Sequence, residues 1–270
     1  MRTASAIPGV RPAAVAGSFY PGDPGRLRAE VGELLAGAPW HSGTPKALIA
    51  PHAGYVYSGP VAASAFAALQ AQAESIERVV LIGPAHYVRL CGIAAPTVGA
   101  FETPLGRVPV DREALAAIAD LPCVSETDAP HGPEHALEVE LPFLQLVLAA
   151  FTLVPLVVGD ATPKQVAEVL ARLWGGPETL LVVSSDLSHY HPYDEARRLD
   201  GETAAAIERG DWAALSPARA CGFLPVAGLL LEAGRRGLTA CRLALCNSGD
   251  TAGDRDRVVG YGAWAFPAAP

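Results

Sequence analysis

Four short runs in this chain are apolar almost from end to end: KALIA (46–50), RVVLI (78–82), TLVPLVV (152–158) and TLLVV (179–183). A strand with one face in water alternates polar and apolar residues, whereas a continuous run is covered on both faces. Between these runs lie segments of helical period, at about 24–35, 59–70, 135–150, 163–174, 193–209 and 221–235. A shorter helix is expected over 111–119, capped by Asp111. Further strands are expected at Ile93–Ala95, Arg242–Leu245 and Val258–Phe266. Alternation of this kind predicts an α/β fold: a central, mostly parallel mixed sheet with helices on both faces. Residues 1–22, rich in Pro, Ala and Gly, read as an irregular lead-in packing on the domain. No stretch reads as a linker, so 1–270 is expected to be a single domain.

Composition removes several classes of function. Half of the 270 residues are hydrophobic and 18% are charged, enough to build a large core. Net charge is −8 and no Lys/Arg cluster occurs, so nothing would attract a phosphate backbone, and nucleic acid is not expected as a partner. Residues 141–159 carry no charge, but Pro142, Gln145, Thr152 and Pro155 interrupt them. They divide into a helix and a buried strand rather than a membrane span. The N-terminal stretch has no apolar run of export-signal length and is broken by Pro8 and Pro12, which points to the cytoplasm and away from the membrane. Five cysteines, an odd number without CxxC spacing, do not describe a disulfide framework.

Polar residues cluster where the apolar runs stop. His52 follows KALIA, His86 follows RVVLI, Asp186 and His189 follow TLLVV, and Cys246 follows RLAL. Ligands of open α/β sheets bind beyond the carboxyl ends of the strands. Imidazole and thiolate are both ligands for first-row transition metals, and two histidines with one cysteine leave coordination positions open. His189 suits either a fourth ligand or a general acid/base. Asp186, three residues earlier, suits either the orientation of a histidine or a helix cap. His135 and Glu138, spaced i, i+3 on an expected helix, would share a face. They read as a substrate contact or proton relay, or as ordinary groups at a helix start. His41 and His131 have only loop context and carry no assigned role. No P-loop, GxGxxG or GxSxG motif is present. Cys246 acting as a nucleophile with a histidine base is a second reading of the same residues.

Several longer stretches are distinctive: AGSFYPGD (16–23), APHAGYVYSGP (50–60), LIGPAHY (81–87), ETPLGRVPVD (102–111), EHALEVELPFLQ (134–145), SSDLSHY (184–190) and NSGDTAGDRDRVVGYGAWAF (247–266). Through them the chain resembles the Memo family, whose prokaryotic members include AmmeMemoRadiSam system protein B. The resemblance implies a fold similar to class III extradiol dioxygenases, non-haem iron enzymes that open aromatic rings. It assigns His52 and His86 as metal ligands, Cys246 in place of the dioxygenases' glutamate, and His189 with Asp186 as the proton-handling pair. The implied metal is iron or copper, with zinc as an ion acquired on purification. Thiolate is softer than carboxylate, which favours copper, zinc or a differently tuned iron and makes the site itself oxidisable. Tyr57, within the stretch that carries His52, joins His135 and Glu138 as a residue expected at the substrate.

The leading expectation is therefore a metal-dependent oxidoreductase with a dioxygenase-like site acting on a small aromatic molecule or a modified peptide. Two other readings use the same cleft: a non-catalytic peptide- or protein-binding module, and a metal-handling protein. The resemblance also implies association with an AMMECR1-like protein and a radical SAM protein.

Overall fold

The computed structural model describes residues 9–39 and 43–267; His41 and the first eight residues of the lead-in lie outside them. The elements begin with β1 (Val10–Arg11), α1 (Pro24–Gly37), β2 (Pro45–Ala50), α2 (Tyr55–Ala67), β3 (Arg78–Pro84), β4 (Ile93–Ala95), β5 (Ala100–Thr103), β6 (Gly106–Pro109), α3 (Arg112–Ala116) and β7 (Val124–Glu126). They continue with α4 (Leu141–Val147), β8 (Thr152–Val158), α5 (Pro163–Leu173), β9 (Thr179–Ser184), β10 (His189–His191), α6 (Tyr193–Glu208), α7 (Phe223–Arg235), β11 (Cys241–Asn247) and β12 (Val258–Pro267).

The large sheet has nine strands in the order β10-β12-β2-β9-β3-β8-β4-β7, with β11 also paired to β12. Its centre is parallel: β2 with β9, β9 with β3, and β3 with β8. Its flanks bring in antiparallel pairs, β12 with β2 and β4 with β8. The four continuous apolar runs are the four central strands, and each is buried along almost its whole length. Val79, Val80, Leu81 and Ile82 of β3 are completely buried. Burial of each such side chain stabilises the fold by roughly 1.5–3 kcal/mol. Helices α1, α2 and α4 pack together, as do α5 and α7. No helix among the described residues is long and apolar enough to cross a membrane.

Local chemistry explains where helices begin. Asp23 caps α1, accepting from Arg26 N, and Asp111 caps α3, accepting from Ala114 N. Thr162 and Gln165 form a reciprocal capping box at α5. The segment expected as one helix over 135–150 differs. Residues 138–140 make a single 3-10 turn and only Leu141–Val147 is α-helical. Pro142 sits in the first turn of α4, where its missing N–H costs nothing, and ahead of it the chain winds differently. A small sheet of β1, β5 and β6 was not anticipated; its β5–β6 hairpin falls in the ETPLGRVPVD stretch.

The lead-in is fastened by a buried carboxylate. Glu138 is fully buried and pairs with the Arg11 guanidinium. It also accepts from Ala14 N (2.7 Å), Val15 N (3.0 Å) and the Tyr20 hydroxyl. Arg11 is 3% exposed and further donates to the carbonyls of His131 and Glu134. Glu138, expected from the sequence at the substrate, instead has its acceptor capacity committed to holding residues 11–20 in place. It does not share a helix face with His135 either, because no helix joins them.

Two predictions follow from these buried groups. Glu138→Ala leaves the Arg11 charge buried without its partner, and the expected cost is about 3–5 kcal/mol, read as a lower urea midpoint. An unchanged midpoint would contradict the latch. His131 Nε2 donates to Ala94 O (3.1 Å), while Nδ1 is buried with no partner. Burial, reinforced by the nearby Arg11 charge, lowers its pKa to about 4. In the unfolded chain it titrates near 6.5, so the unfolded state binds the extra proton between those values. The stabilisation is complete above pH 6.5 and is lost as pH falls toward 4, on the order of 3 kcal/mol. His131→Gln should make the slope of unfolding free energy against pH shallower by one proton in that window; an identical slope would refute the assignment.

Candidate metal centre

The ends of β2 and β3 deliver His52 and His86, and the segment before α4 delivers His135. One nitrogen from each ring lies within 4.8 Å of the other two. The His86 and His135 rings stack at 4.7 Å, and His52 meets both edge-on at 5.2 and 5.3 Å. Gly83 permits this convergence: a Cβ there would come within 3.0 Å of Leu137 Cδ2 and crowd Ala136, which follows His135.

Two of the three rings are held from behind. His52 Nδ1 lies 2.7 Å from Ser184 Oγ, on the neighbouring strand β9. Ser184 donates to Ala136 O (2.6 Å) and lies 2.8 Å from Glu140 Oε1. Burial pushes Glu140 well above the usual carboxylate range, which favours the neutral acid as a donor to Ser184. The hydroxyl then accepts from His52 Nδ1–H, which leaves Nε2 unprotonated and facing Cys221 Sγ. His86 Nδ1 lies 2.8 Å from Glu134 Oε1, and its backbone N–H donates to Glu134 Oε2 (2.7 Å). Burial alone would raise the pKa of Glu134, but the His86 hydrogen bonds and charge more than offset this and hold it at about 2. A carboxylate behind a histidine fixes the ring and its tautomer, as in metal sites. His135 Nδ1 lies 3.3 Å from Glu134 Oε1 without the alignment for a hydrogen bond, and so is buried without a partner. Burial, then the proximity of His52 and His86, brings its pKa down to about 4; burial also lowers that of the enclosed His52. Imidazole nitrogens gathered to one point in this way suit a first-row transition metal.

The thiol beside this cluster is Cys221. Its Sγ lies 3.3 Å from His52 Nε2 and accepts from Asp186 N (3.2 Å). Burial, and then the Asp186 charge, pushes the thiol up to about 12, so it is protonated unless a cation displaces the proton. Gly222 makes the approach feasible, because a Cβ there would lie 2.7 Å from Ser185 Cβ and 2.8 Å from Ser184 O. Cys246 is not brought to the histidines. It lines a separate hollow of about 300 Å³ with Tyr193, Arg197, Asp200, Asn247 and Asp250. The reason is topological: β12 lies between β11 and β2, and it is Tyr261, the pairing partner of Cys246, that lines the histidine cavity.

That cavity encloses about 570 Å³ and is lined by His52, His86, His135, Asp186, His189, Tyr57, Phe19 and residues of the 253–261 segment. His189 Nδ1 donates to Leu187 O (2.8 Å), which frees Nε2. Asp186 is buried, which raises its pKa against the opposing His189 charge, and Oδ1 accepts from His52 N (2.9 Å). It precedes no helix, so its carboxylate binds backbone at the site rather than capping. Sequence reasoning missed Glu134 and Cys221. Glu134 is visible only as the acid beside His135. Cys221 was absorbed into an apolar helix that in fact starts at Phe223, and the Cys-Gly pair at that junction was the available signal.

A profile for the Memo-like protein family matches residues 11–265. A MEMO1 family protein of Sulfolobus acidocaldarius is 35% identical, covering 93% of this chain and 97% of its own. One from Methanopyrus kandleri is 36% identical over 95% and 98%, and one from Aquifex aeolicus 36% over 93% and 97%. Among solved structures, an uncharacterized protein from Escherichia coli K12 superposes with a TM-score of 0.51 at 14% identity, covering 79% of this chain and 98% of that one, a likeness of fold. With a family profile spanning nearly all of the described chain and relatives matched almost end to end, this protein belongs to the Memo-like protein family.

Proposed function

We propose that the protein is a metal-dependent oxidoreductase, with iron or copper held by His52, His86 and His135 and with the Cys221 thiol alongside. One observation carries this reading: three imidazole nitrogens within 4.8 Å, two of them on rings anchored through Nδ1 and the third on a ring whose Nδ1 is buried without a partner. When bound, such a metal supplies Lewis acidity and one-electron chemistry in a cleft that opens to solvent. The rest falls to side chains. Glu134 and the Ser184–Glu140 pair keep the imidazoles oriented. His189, with Nε2 free and Nδ1 committed to Leu187 O, is placed to move a proton at the cavity wall. Asp186 is a positioning residue, joining the His52 backbone to the Cys221 loop. Phe19, clamped through the Glu138 latch, covers His135 at 4.8 Å and helps exclude water. The extradiol-like resemblance supports a small aromatic substrate.

A second reading draws on the rim. Val56, Tyr57, Tyr87 and Tyr190 are the exposed large hydrophobics among the described residues, and Tyr57 and Tyr190 line the cavity. Such a rim suits capture of a peptide or partner protein, with an AMMECR1-like or a radical SAM protein as the proposed associate. Complexes that persist in His86→Ala protein would favour this reading over catalysis.

Metal content after anaerobic purification tests the main proposal. His86→Ala should lose most of the bound metal, and Glu134→Gln should weaken affinity by roughly 10–100-fold through the freed ring. Cys246→Ala should match the wild type. Full metal occupancy in His86→Ala would remove the proposed centre.

A further inference from the structure

We infer that the histidine cavity selects substrates carrying a carboxylate, which docks on Arg257 at its mouth. This deepens the proposed function and rests on the histidine cavity being the substrate site. Arg257 lines the cavity with Tyr190 and Asp254. Its guanidinium lies 5.1 Å above the Tyr190 ring. Among the described residues it has no acid within ion-pairing distance and makes no side-chain hydrogen bond. Asp254 Oδ1 accepts from Asp256 N (3.0 Å) and Arg257 N (3.3 Å), so this neighbouring acid turns to the backbone and not to the guanidinium. Asp186, at the base, accepts from His52 N. A planar fork of five donors is thus presented at the opening with nothing in the protein to receive it.

The platform beneath it is built at a conformational cost. Tyr190 is the non-glycine residue with positive φ (+61°) among those described, and it is 62% exposed. A bulky exposed aromatic in the left-handed region gains neither burial nor backbone ease from being there, and strain of this kind concentrates at functional positions. The flanking residues explain how it is held: His189 and His191 both pair with β12, at Val259 and Val258, with a bulge at Tyr190 between them. The bulge directs His189 to the cavity and leaves the Tyr190 ring beneath Arg257. Tyr57 and Tyr190 offer aromatic faces, and the guanidinium offers a bidentate seat for a carboxylate. An aromatic acid with its ring directed toward the histidines satisfies both.

Benzoate and benzamide, alike in shape and different in charge, are the probes. Titration is done first on metal-free protein, so that no metal competes for the carboxylate, and then on metal-loaded protein. Wild-type metal-free protein should prefer benzoate by at least about five-fold at low salt, with the preference shrinking as salt rises. Arg257→Gln should bind the two probes equally. Tyr190→Gly should keep or raise the melting temperature, since the left-handed strain is relieved, and should weaken benzoate binding alone. Equal affinities in the wild type, failure of both probes to bind, or a preference that survives Arg257→Gln each overturns the inference. A preference that is present and Arg257-dependent in protein that takes up no metal upholds it and refutes the metal centre separately.

Discussion

Glu134 keeps a negative charge in the protein interior, and the site takes its shape from the groups gathered around that charge. One oxygen accepts from His86 Nδ1 and from Ala136 N, the other from His86 N. Those bonds tie the end of β3 to the segment that leads into α4, two regions 48 residues apart. They also fix which nitrogen of His86 faces the cavity. His135, next in the chain, is carried to the same place. A buried carboxylate without such donors would be too costly to keep charged, so the hydrogen bonds and the position of the imidazoles stand or fall together.

Much of this was legible from the strands. A continuous apolar run marks a covered strand, and β2, β3, β8 and β9 occur where such runs occur. That register of burial also placed His52, His86 and His189 at one edge of the sheet, because each follows a strand by a few residues. Other parts depended on contacts between distant segments. Periodicity alone continued the helix back to His135, whereas a 3-10 turn separates His135 from α4 and turns Glu138 inward onto Arg11. Cys246 and Cys221 could not be ranked from strand ends. The rule that residues after strands meet at a site holds for neighbouring parallel strands, and β11 is displaced outward by β12, while Cys221 arrives from a loop that no strand precedes.

The same network joins stability to chemistry. The Glu138 latch holds the lead-in, and the lead-in supplies Phe19 to the cavity. Ser184 closes β9 and at the same moment sets the tautomer of His52. Changes at these positions are therefore expected to alter the arrangement of the imidazoles and the fold together, whereas Arg257 and Tyr190, at the exposed rim, are separable from both.

The central claim is that the metal sits among these imidazoles with Cys221, and not Cys246, as its sulfur neighbour. X-ray absorption on anaerobically loaded protein measures this most directly. The account predicts nitrogen scatterers with one sulfur that disappears in Cys221→Ser and persists in Cys246→Ser. Loss of the sulfur signal in Cys246→Ser, with retention in Cys221→Ser, would contradict it.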